Sequence, residues 1–307
     1  MLLVKPTPTS ITPSTRWSDS QPAMLQGSLR GAFFIAMAMT QEPSASEGMP
    51  IDEEEALRRL EQRDDPADRY YAAWWLGHER SQHPRTLPLL RAALQELLSA
   101  GEQPDEDCRT LSLNVLRAMV HLDAGAAKEE ILSCLAHHDS HVREEATRTA
   151  ASEGLTESVA LICSQLGADD ASDDRLIEAQ IEALGDLGEA GAEVIDTLVR
   201  FSDDPRPLIR SASLRALLQL TEDPQWATEF PSLLQSSSTL VRRGVLLDLG
   251  AVGWVPALDW ISQSPIENSI KLIALRGLAE HPRGLKHLSL NTEQASQLVL
   301  AAMDQLL

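Results

Sequence analysis

The chain has few cysteines, few aromatic residues and no apolar run long enough to span a membrane. Among its 307 residues there are three Cys, two Tyr and four Phe. Cys108, Cys134 and Cys163 show no CxxC spacing and lie in apolar helical stretches, a pattern typical of buried thiols in a reducing compartment. The apolar run 32–39 is too short to cross a bilayer. We therefore predict a cytoplasmic protein without disulfides or membrane insertion.

Basic residues are also scarce relative to acidic ones. The chain holds 26 Lys and Arg against 46 Asp and Glu, a formal net charge of −20 at pH 7. The first fifty residues contain three of each sign, so the whole excess lies in residues 51–307. Such a surface repels phosphate backbones, and we predict no nucleic-acid partner.

The first fifty residues differ in kind from the rest. Eighteen of them are Ser, Thr or Pro, a composition that buries little apolar surface and is typical of disorder. We expect this segment to be disordered, or to precede the true start of the protein, for which Met39 and Met49 are candidates. A targeting peptide is the weaker alternative. Residues 51–307 are predicted to form the folded domain.

From residue 51 onward the sequence repeats a unit of helical character. Leu, Ala, Glu and Arg dominate, and anchor positions recur at intervals of 29 to 40 residues. In the first four units an Asp stands four residues before the anchor, at Asp65, Asp105, Asp139 and Asp173. The anchor positions are Arg69, Arg109, Arg143, Ile177, Arg210, Arg242 and Lys271. This period predicts an all-α solenoid of helical hairpins. Each Asp is expected to cap its helix, and each Arg to reach the neighbouring unit.

Both tyrosines and two of the six tryptophans fall within six positions, Tyr70, Tyr71, Trp74 and Trp75. On a helix these four rings share one broad face, with Tyr70 over Trp74 and Tyr71 over Trp75. Small residues lie on the opposite face. The arrangement suits a flat, conjugated ligand. The alternative is that the rings fill a core or a subunit interface.

Two short segments contain residues that bind metals elsewhere. The segment 137–141 has three His and one Asp, but it falls at a predicted turn between helices. His78 and Glu79 resemble the His-Glu pairs of di-iron HEAT-type enzymes, but the equivalent place after Arg143 holds two glutamates. The number of ligands is too small. We predict no metal site.

Three segments resemble a known family, and they stand in order along the chain together with its last six residues. They are RYYAAWWLGHER at Arg69 to Arg80, LVRRGVLLDLGAVG at Leu240 to Gly253, and ENSIKLIALRGLAEH at Glu267 to His281. They resemble the E-type subunit of the E/F phycobilin lyases, which are HEAT-repeat proteins of cyanobacteria. The resemblance implies a HEAT-like αα superhelix of about six to seven hairpins.

The resemblance also implies a function and partners. An E-type chain pairs with an F-type chain, and the heterodimer attaches a linear tetrapyrrole, phycocyanobilin or phycoerythrobilin, through a thioether to a cysteine of the phycocyanin α subunit. The nucleophile then belongs to the acceptor. The bilin is the substrate, and no separate cofactor is expected.

Site residues follow from the segments that carry the resemblance. The four rings are expected to grip the tetrapyrrole. Arg80, Arg242 and Arg243 are candidates for pairing with its propionates. Asp248 and Glu267 are candidate catalytic acids that hydrogen-bond the pyrrole nitrogens and stabilise their positive charge. A structural role remains the alternative for each polar residue: Arg242 is also a repeat anchor, and Glu267 could cap a helix.

A second class of function is compatible with the same sequence. A helical solenoid presents an extended surface, which suits a noncatalytic HEAT-repeat scaffold or a bilin chaperone in phycobilisome assembly or degradation. A neighbouring gene for an F-type subunit or a phycocyanin α subunit would favour the lyase.

Overall fold

The structure is a computed structural model that describes residues 51–101, 104–168, 173–188 and 190–307. The predictions for residues 1–50 lie outside this range. The described residues contain sixteen α-helices, several short 3-10 turns and no β-strand. The predicted all-α class is confirmed.

The helices follow one another along the chain with short connections. Their bounds are α1 Glu53–Glu61, α2 Pro66–His78, α3 Thr86–Ser99, α4 Glu106–Met119, α5 Lys128–Leu135, α6 Ser140–Ser152, α7 Val159–Gly167, α8 Asp174–Asp186, α9 Ala192–Phe201, α10 Pro207–Thr221, α11 Phe230–Leu233, α12 Thr239–Val252, α13 Leu258–Gln263, α14 Asn268–Glu280, α15 Leu285–Leu288 and α16 Thr292–Asp304.

The helices form two layers. The even-numbered helices stack side by side in chain order from α2 to α16, and each odd-numbered helix from α1 to α13 packs against the even-numbered helix that follows it. In the described part of the chain this makes seven pairs, from α1/α2 to α13/α14, followed by the short α15 and by α16. The predicted solenoid is confirmed, with a pair count at the upper end of the expected range.

The repeated Asp residues start the even-numbered helices as predicted. Each accepts a hydrogen bond from a backbone N–H of the first turn, which satisfies a donor that has no partner inside the helix. The capping residues are Asp65, Asp105, Asp139 and Asp173. The repeat anchors act in two ways. Arg69 and Arg109 reach other elements, at Glu96 and Asp139, whereas Arg143 donates to carbonyls of its own preceding turn.

Buried ion pairs link the middle of the even-numbered layer. Arg215 of α10, whose side chain is 2% exposed, lies 3.3 Å from Glu182 and 2.7 Å from Asp186 of α8. Arg148 of α6 lies 3.5 Å from the other oxygen of Glu182. Burial raises the pKa of Asp186 to about 6, against the opposing effect of the Arg215 charge. The helices α6, α8 and α10 are thus joined by buried ion pairs, and removing one partner of such a pair leaves the other as an uncompensated buried charge.

Two glycines allow neighbouring even-numbered helices to approach closely. A Cβ at Gly77 would lie 2.5 Å from the Ala118 Cα, and one at Gly250 would lie 2.6 Å from the Ala274 Cα. The sequence pairs Leu76-Gly77, Leu187-Gly188 and Leu249-Gly250 predict that each glycine ends its helix in a left-handed turn. That prediction is wrong for Gly77 and Gly250, since they lie inside α2 and α12, and it is confirmed for Gly188, whose φ is 71°.

We expect Gly250→Ala to destabilise the protein, because the new methyl group meets the backbone of α14 and the two helices must separate. The expected loss in free energy of unfolding is about 1–3 kcal/mol, measured by urea denaturation. Gly167→Ala is the control, since Gly167 is also helical and its Cβ would meet only the Arg200 side chain at 3.9 Å. An equal loss in both variants would contradict the assigned role of Gly250.

Candidate functional site

A stack of three rings lies along α2. The ring centroids of Tyr71 and Trp74 are 5.5 Å apart with planes at 30°, and those of Trp74 and His78 are 4.8 Å apart with planes at 13°. Tyr71 and Trp74 are partly exposed and His78 is exposed. The ring contacts are therefore not the predicted pairs four residues apart, Tyr70 with Trp74 and Tyr71 with Trp75. We call Tyr71, Trp74 and His78 the ring stack.

The other two predicted rings belong to the scaffold. Tyr70 and Trp75 are partly buried and pack against the hydrophobic core of the first three helical pairs. The Tyr70 hydroxyl donates a hydrogen bond of 2.5 Å to Asp107 of α4. Burial and the nearby Asp107 raise the pKa of Tyr70 above its usual range. The interpretation as core-filling rings applies to these two residues, and the predicted flat four-ring surface is reduced to the ring stack.

The end of α2 has a left-handed residue that is not glycine, as does the end of α10 at Glu222. Ser81 N–H donates to the Leu76 carbonyl and Arg80 N–H to the Gly77 carbonyl, which is the paired hydrogen-bond pattern of a helix end with a left-handed residue. That residue is Arg80, with φ 52°. At the corresponding place after α6 and α8 the chain has Gly154 and Gly188. An arginine here is sterically unfavourable by about 1–2 kcal/mol.

Arg80 is exposed beside the ring stack, and among the described residues it forms no ion pair. His121, which follows α4, is its neighbour from the next unit. Burial and the positive charges of Arg80 and His78 lower the pKa of His121. Two histidines and an arginine thus lie near the end of the ring stack, close enough for Arg80 and His78 to act on the pKa of His121. We call His78, Arg80 and His121 the basic cluster.

Arg242 serves the scaffold. Its guanidinium donates to the carbonyls of Ser236 and Ser237 at 2.6 and 3.2 Å and to the Thr239 hydroxyl at 3.0 Å. It stabilises the turn before α12, as Arg143 stabilises the turn before α6. These contacts explain Arg242 as a residue of the scaffold, although its buried Nε has no hydrogen-bond partner, and its predicted role in propionate binding stays a prediction.

Asp248 is fully buried in α12 and accepts a hydrogen bond from the Ser211 hydroxyl of α10. A carboxylate at 0% exposure does not reach a pyrrole nitrogen on the surface. The predicted catalytic role of Asp248 is therefore corrected to a structural one. Buried polar side chains are generally hydrogen-bonded, and the Ser211 hydroxyl supplies such a bond to Asp248.

Arg243 and Glu267 are brought together. The Arg243 Nε donates to Glu267 Oε2 at 3.1 Å, and an Nη donates to the other carboxylate oxygen. The hydrogen bonds from Arg243 lower the pKa of Glu267, so this side chain is a carboxylate at neutral pH and no proton donor. Both residues are well exposed. Their predicted roles as ligand contacts stay predictions.

The predicted site residues fall into two separate places along the solenoid. The ring stack lies on α2, which packs on α1 and α4, and Arg80 follows that helix, whereas the Arg243–Glu267 pair links α12 to the residue that precedes α14. His121 is not among the residues predicted from the sequence, and His78 was considered there only as a metal ligand. The signal for His78 was its spacing, four residues after Trp74, which places both on the same side of a helix.

No group of three or more His, Cys, Asp or Glu side chains capable of holding a metal occurs within the described residues. The same part of the chain has no helix with the length and apolarity needed to cross a membrane.

The fold and the site together define a class of protein. The chain is a HEAT-type helical solenoid that presents partly exposed stacked rings next to Arg80, which forms no ion pair among the described residues, an arrangement suited to binding a planar anionic molecule. A family model described as PBS lyase HEAT-like repeat matches residues 68–96, which include the whole ring stack.

Relatives narrow the class to one family. The chain is 42% identical to the bilin biosynthesis protein RpcE of Synechococcus sp. WH8020 over 78% of this chain and 94% of that protein. It is 36% identical to the phycocyanobilin lyase subunit alpha of Picosynechococcus sp. PCC 7002, over 74% and 86%. The chain belongs to the phycocyanobilin lyase subunit alpha family, as its resemblance to the E-type subunits predicted.

A solved structure agrees with the fold. The complex of CpcE and CpcF of phycocyanin lyase from Nostoc sp. PCC7120 contains a chain that matches with a TM-score of 0.71 and 29% sequence identity, over 87% of this chain and 98% of that one. The match extends over nearly the whole solenoid.

Proposed function

We propose that this chain is the E-type subunit of a heterodimeric bilin lyase, which joins a linear tetrapyrrole through a thioether to a cysteine of the phycocyanin α subunit. The F-type subunit is its partner. The observation that carries the proposal is the exposed ring stack beside Arg80, on the scaffold of a lyase family. Stacked rings hold a conjugated chromophore, and a guanidinium pairs with its carboxylates.

The chemistry assigns no nucleophile to this chain. The thiolate of the acceptor adds to the exocyclic ethylidene of ring A, the carbon–sulfur bond forms, and the tetrapyrrole takes up the proton that the thiol released. Cys134 is buried, and burial raises its pKa to about 12. Burial also raises the pKa of Cys108 and Cys163. Thiols of this kind are weak nucleophiles at neutral pH.

The work left to this chain is orientation. A free bilin samples many conformations, and holding it in one of them with its reactive carbon exposed lowers the entropic part of the barrier. The tetrapyrrole is the substrate, and this addition requires no additional cofactor. All three cysteines are free thiols, in agreement with action in the reducing cytoplasm, which we propose as its location.

The test is bilin attachment in a heterologous host that makes the bilin, the phycocyanin α subunit and a candidate F-type partner, with and without this chain. The denatured acceptor is scored by zinc-enhanced fluorescence. We expect covalent colour only when both subunits are present. A soluble heterodimer that attaches no bilin to any cognate acceptor would contradict the proposal and favour the scaffold or chaperone function.

A further inference from the structure

The ends of α2 and α4 lie close together, since a Cβ at Gly77 would lie 2.5 Å from the Ala118 Cα. Gly77 lies against Ala118. Arg80 stands three residues after Gly77 and donates its N–H to the Gly77 carbonyl at 3.1 Å. His121 stands three residues after Ala118 and donates its N–H to the Ala118 carbonyl at 3.0 Å. Arg80 and His121 therefore each follow the Gly77–Ala118 contact by three residues, so the two basic residues leave their helix ends from neighbouring positions.

The charges at this place are not balanced. Arg80 forms no ion pair in the described part of the chain, although the protein carries a net charge of −20. The nearest acid on its own helix end, Glu79, lies 3.8 Å from His78. Although the protein has many carboxylates, none of the described ones pairs with Arg80. Its guanidinium is therefore available to bind an external anion.

The backbone adds an independent observation. The left-handed position that ends α2 is occupied by glycine in α6 and α8, where a side chain would be strained. A residue kept in an unfavourable conformation points to a role for its side chain that a glycine would lack. Arg80 is held in that conformation beside the last ring of the stack.

We infer that the basic cluster is a carboxylate-binding site at the end of the ring stack, and that a bound carboxylate draws a proton onto His121. The inference rests on the proposed function, because it assigns the carboxylate to a propionate of the tetrapyrrole. The rings of the chromophore lie on Tyr71 and Trp74, and the propionate extends past His78 to Arg80 and His121.

The direction of the pH dependence follows from the surroundings of His121. In the free protein His121 is neutral at pH 7, because burial, Arg80 and His78 hold its pKa below the ordinary value. A bound carboxylate raises that pKa. Binding of the carboxylate therefore takes up a proton at His121. The affinity increases as the pH falls, and the increase takes place between the higher pKa of His121 in the complex and its lower pKa in the free protein.

One carboxyl group in the neighbouring unit has a pKa close to neutrality. Glu153, which follows α6, accepts from the Ala124 N–H at 3.0 Å, and burial raises its pKa to about 7. Asp123 is next to it and contributes to that increase. Protonation of Glu153 would also favour an anion. A Glu153→Gln variant is therefore needed to separate its contribution from that of His121.

The test measures binding of phycocyanobilin and of its dimethyl ester to the heterodimer by absorption titration, without an acceptor subunit. The ester keeps the conjugated system and lacks the carboxylates. We expect the free acid to bind roughly tenfold or more tightly than the ester. Arg80→Gly and Arg80→Asn should remove this preference, and both residues tolerate a left-handed conformation. The melting temperature should stay unchanged or increase by about 2 °C in Arg80→Gly.

Two further results decide the role of His121. In the wild type and in Glu153→Gln, the affinity for the free acid should increase from pH 8 to pH 6, whereas the affinity for the ester should not. In His121→Gln the increase should be lost. An equal affinity for acid and ester, or an unchanged preference in the Arg80 variants, would overturn the inference. Bilin attachment by the same wild-type preparation shows separately whether the proposed function holds.

Discussion

Trp74→Ala is expected to reduce the rate of bilin attachment by about tenfold or more, with little change in stability. Trp74 is the middle ring of the stack and contacts both Tyr71 and His78. It is partly exposed and does not belong to the hydrophobic core. Its removal deletes aromatic surface for the ligand and separates the two remaining rings. The rate is measured with purified heterodimer, bilin and phycocyanin α subunit.

Trp75→Ala is the matched control, because the two tryptophans are adjacent and differ in what they contact. Trp75 packs against the core, so its truncation should lower the free energy of unfolding by about 2–4 kcal/mol. Once folding is restored by lower temperature, attachment by Trp75→Ala should approach the wild-type rate. If Trp75→Ala alone abolished attachment and Trp74→Ala had no effect, the assignment of the ring stack would be wrong.

Arg215→Ala is expected to lower the free energy of unfolding by about 3–5 kcal/mol, because it leaves two buried carboxylates without their shared cation. Glu182 and Asp186 are 4% and 7% exposed and lie within 3.3 Å of the guanidinium. Replacing the arginine with an apolar residue of similar length leaves Asp186 without its cation, while Glu182 keeps only Arg148 at 3.5 Å. Arg215→Met should therefore also destabilise, which separates loss of charge from loss of packing volume.

The loss should depend on pH. Burial already raises the pKa of Asp186 to about 6, and Arg215 limits that increase. Without Arg215 the folded-state pKa increases further. A carboxyl with a raised folded pKa destabilises the fold as the pH rises through that value. The difference between Arg215→Met and wild type should therefore be larger at pH 8 than at pH 5.

Arg276→Ala is the control for this prediction. Arg276 and Glu280 form an ion pair of 2.7 Å on the surface of α14, and the arginine side chain is 71% exposed. Exposed pairs contribute about 0–1 kcal/mol, so a small loss is expected in urea denaturation. Equal losses for Arg215→Ala and Arg276→Ala would contradict the idea that the buried network holds α8 and α10 together.

The helical layers were predictable because their signals are local. A side chain that caps a helix acts on backbone groups two or three residues away, and Asp65, Asp105, Asp139 and Asp173 all do so. The repeat period then places these starts in register. The two roles of glycine, close contact inside a helix and left-handed residue at a helix end, could not be distinguished from local sequence. Gly250 and Gly253 are three residues apart, and only the structure shows that the first is a contact inside α12, whereas the second is a left-handed residue whose Cβ would also meet the His281 carbonyl.

The site was predictable in part. The sequence predicts four rings on one side of α2, but it does not show which of them α4 covers. Tyr70 and Trp75 are covered and pack against the core. Tyr71 and Trp74 are not part of that core, and this division is visible only once the neighbouring helix is in place. His121 lies in the next unit, and no spacing within α2 indicates it. Asp248 was misassigned because burial by the adjacent unit cannot be inferred from α12 alone.

A crystal structure of the heterodimer with phycocyanobilin bound, in the absence of any acceptor subunit, would show directly where this chain holds the tetrapyrrole. We expect the chromophore rings against Tyr71 and Trp74, with one propionate at Arg80 and His121. A chromophore bound at the Arg243–Glu267 pair, or held by the partner alone with the ring stack uncovered, would contradict the assignment of the site to α2.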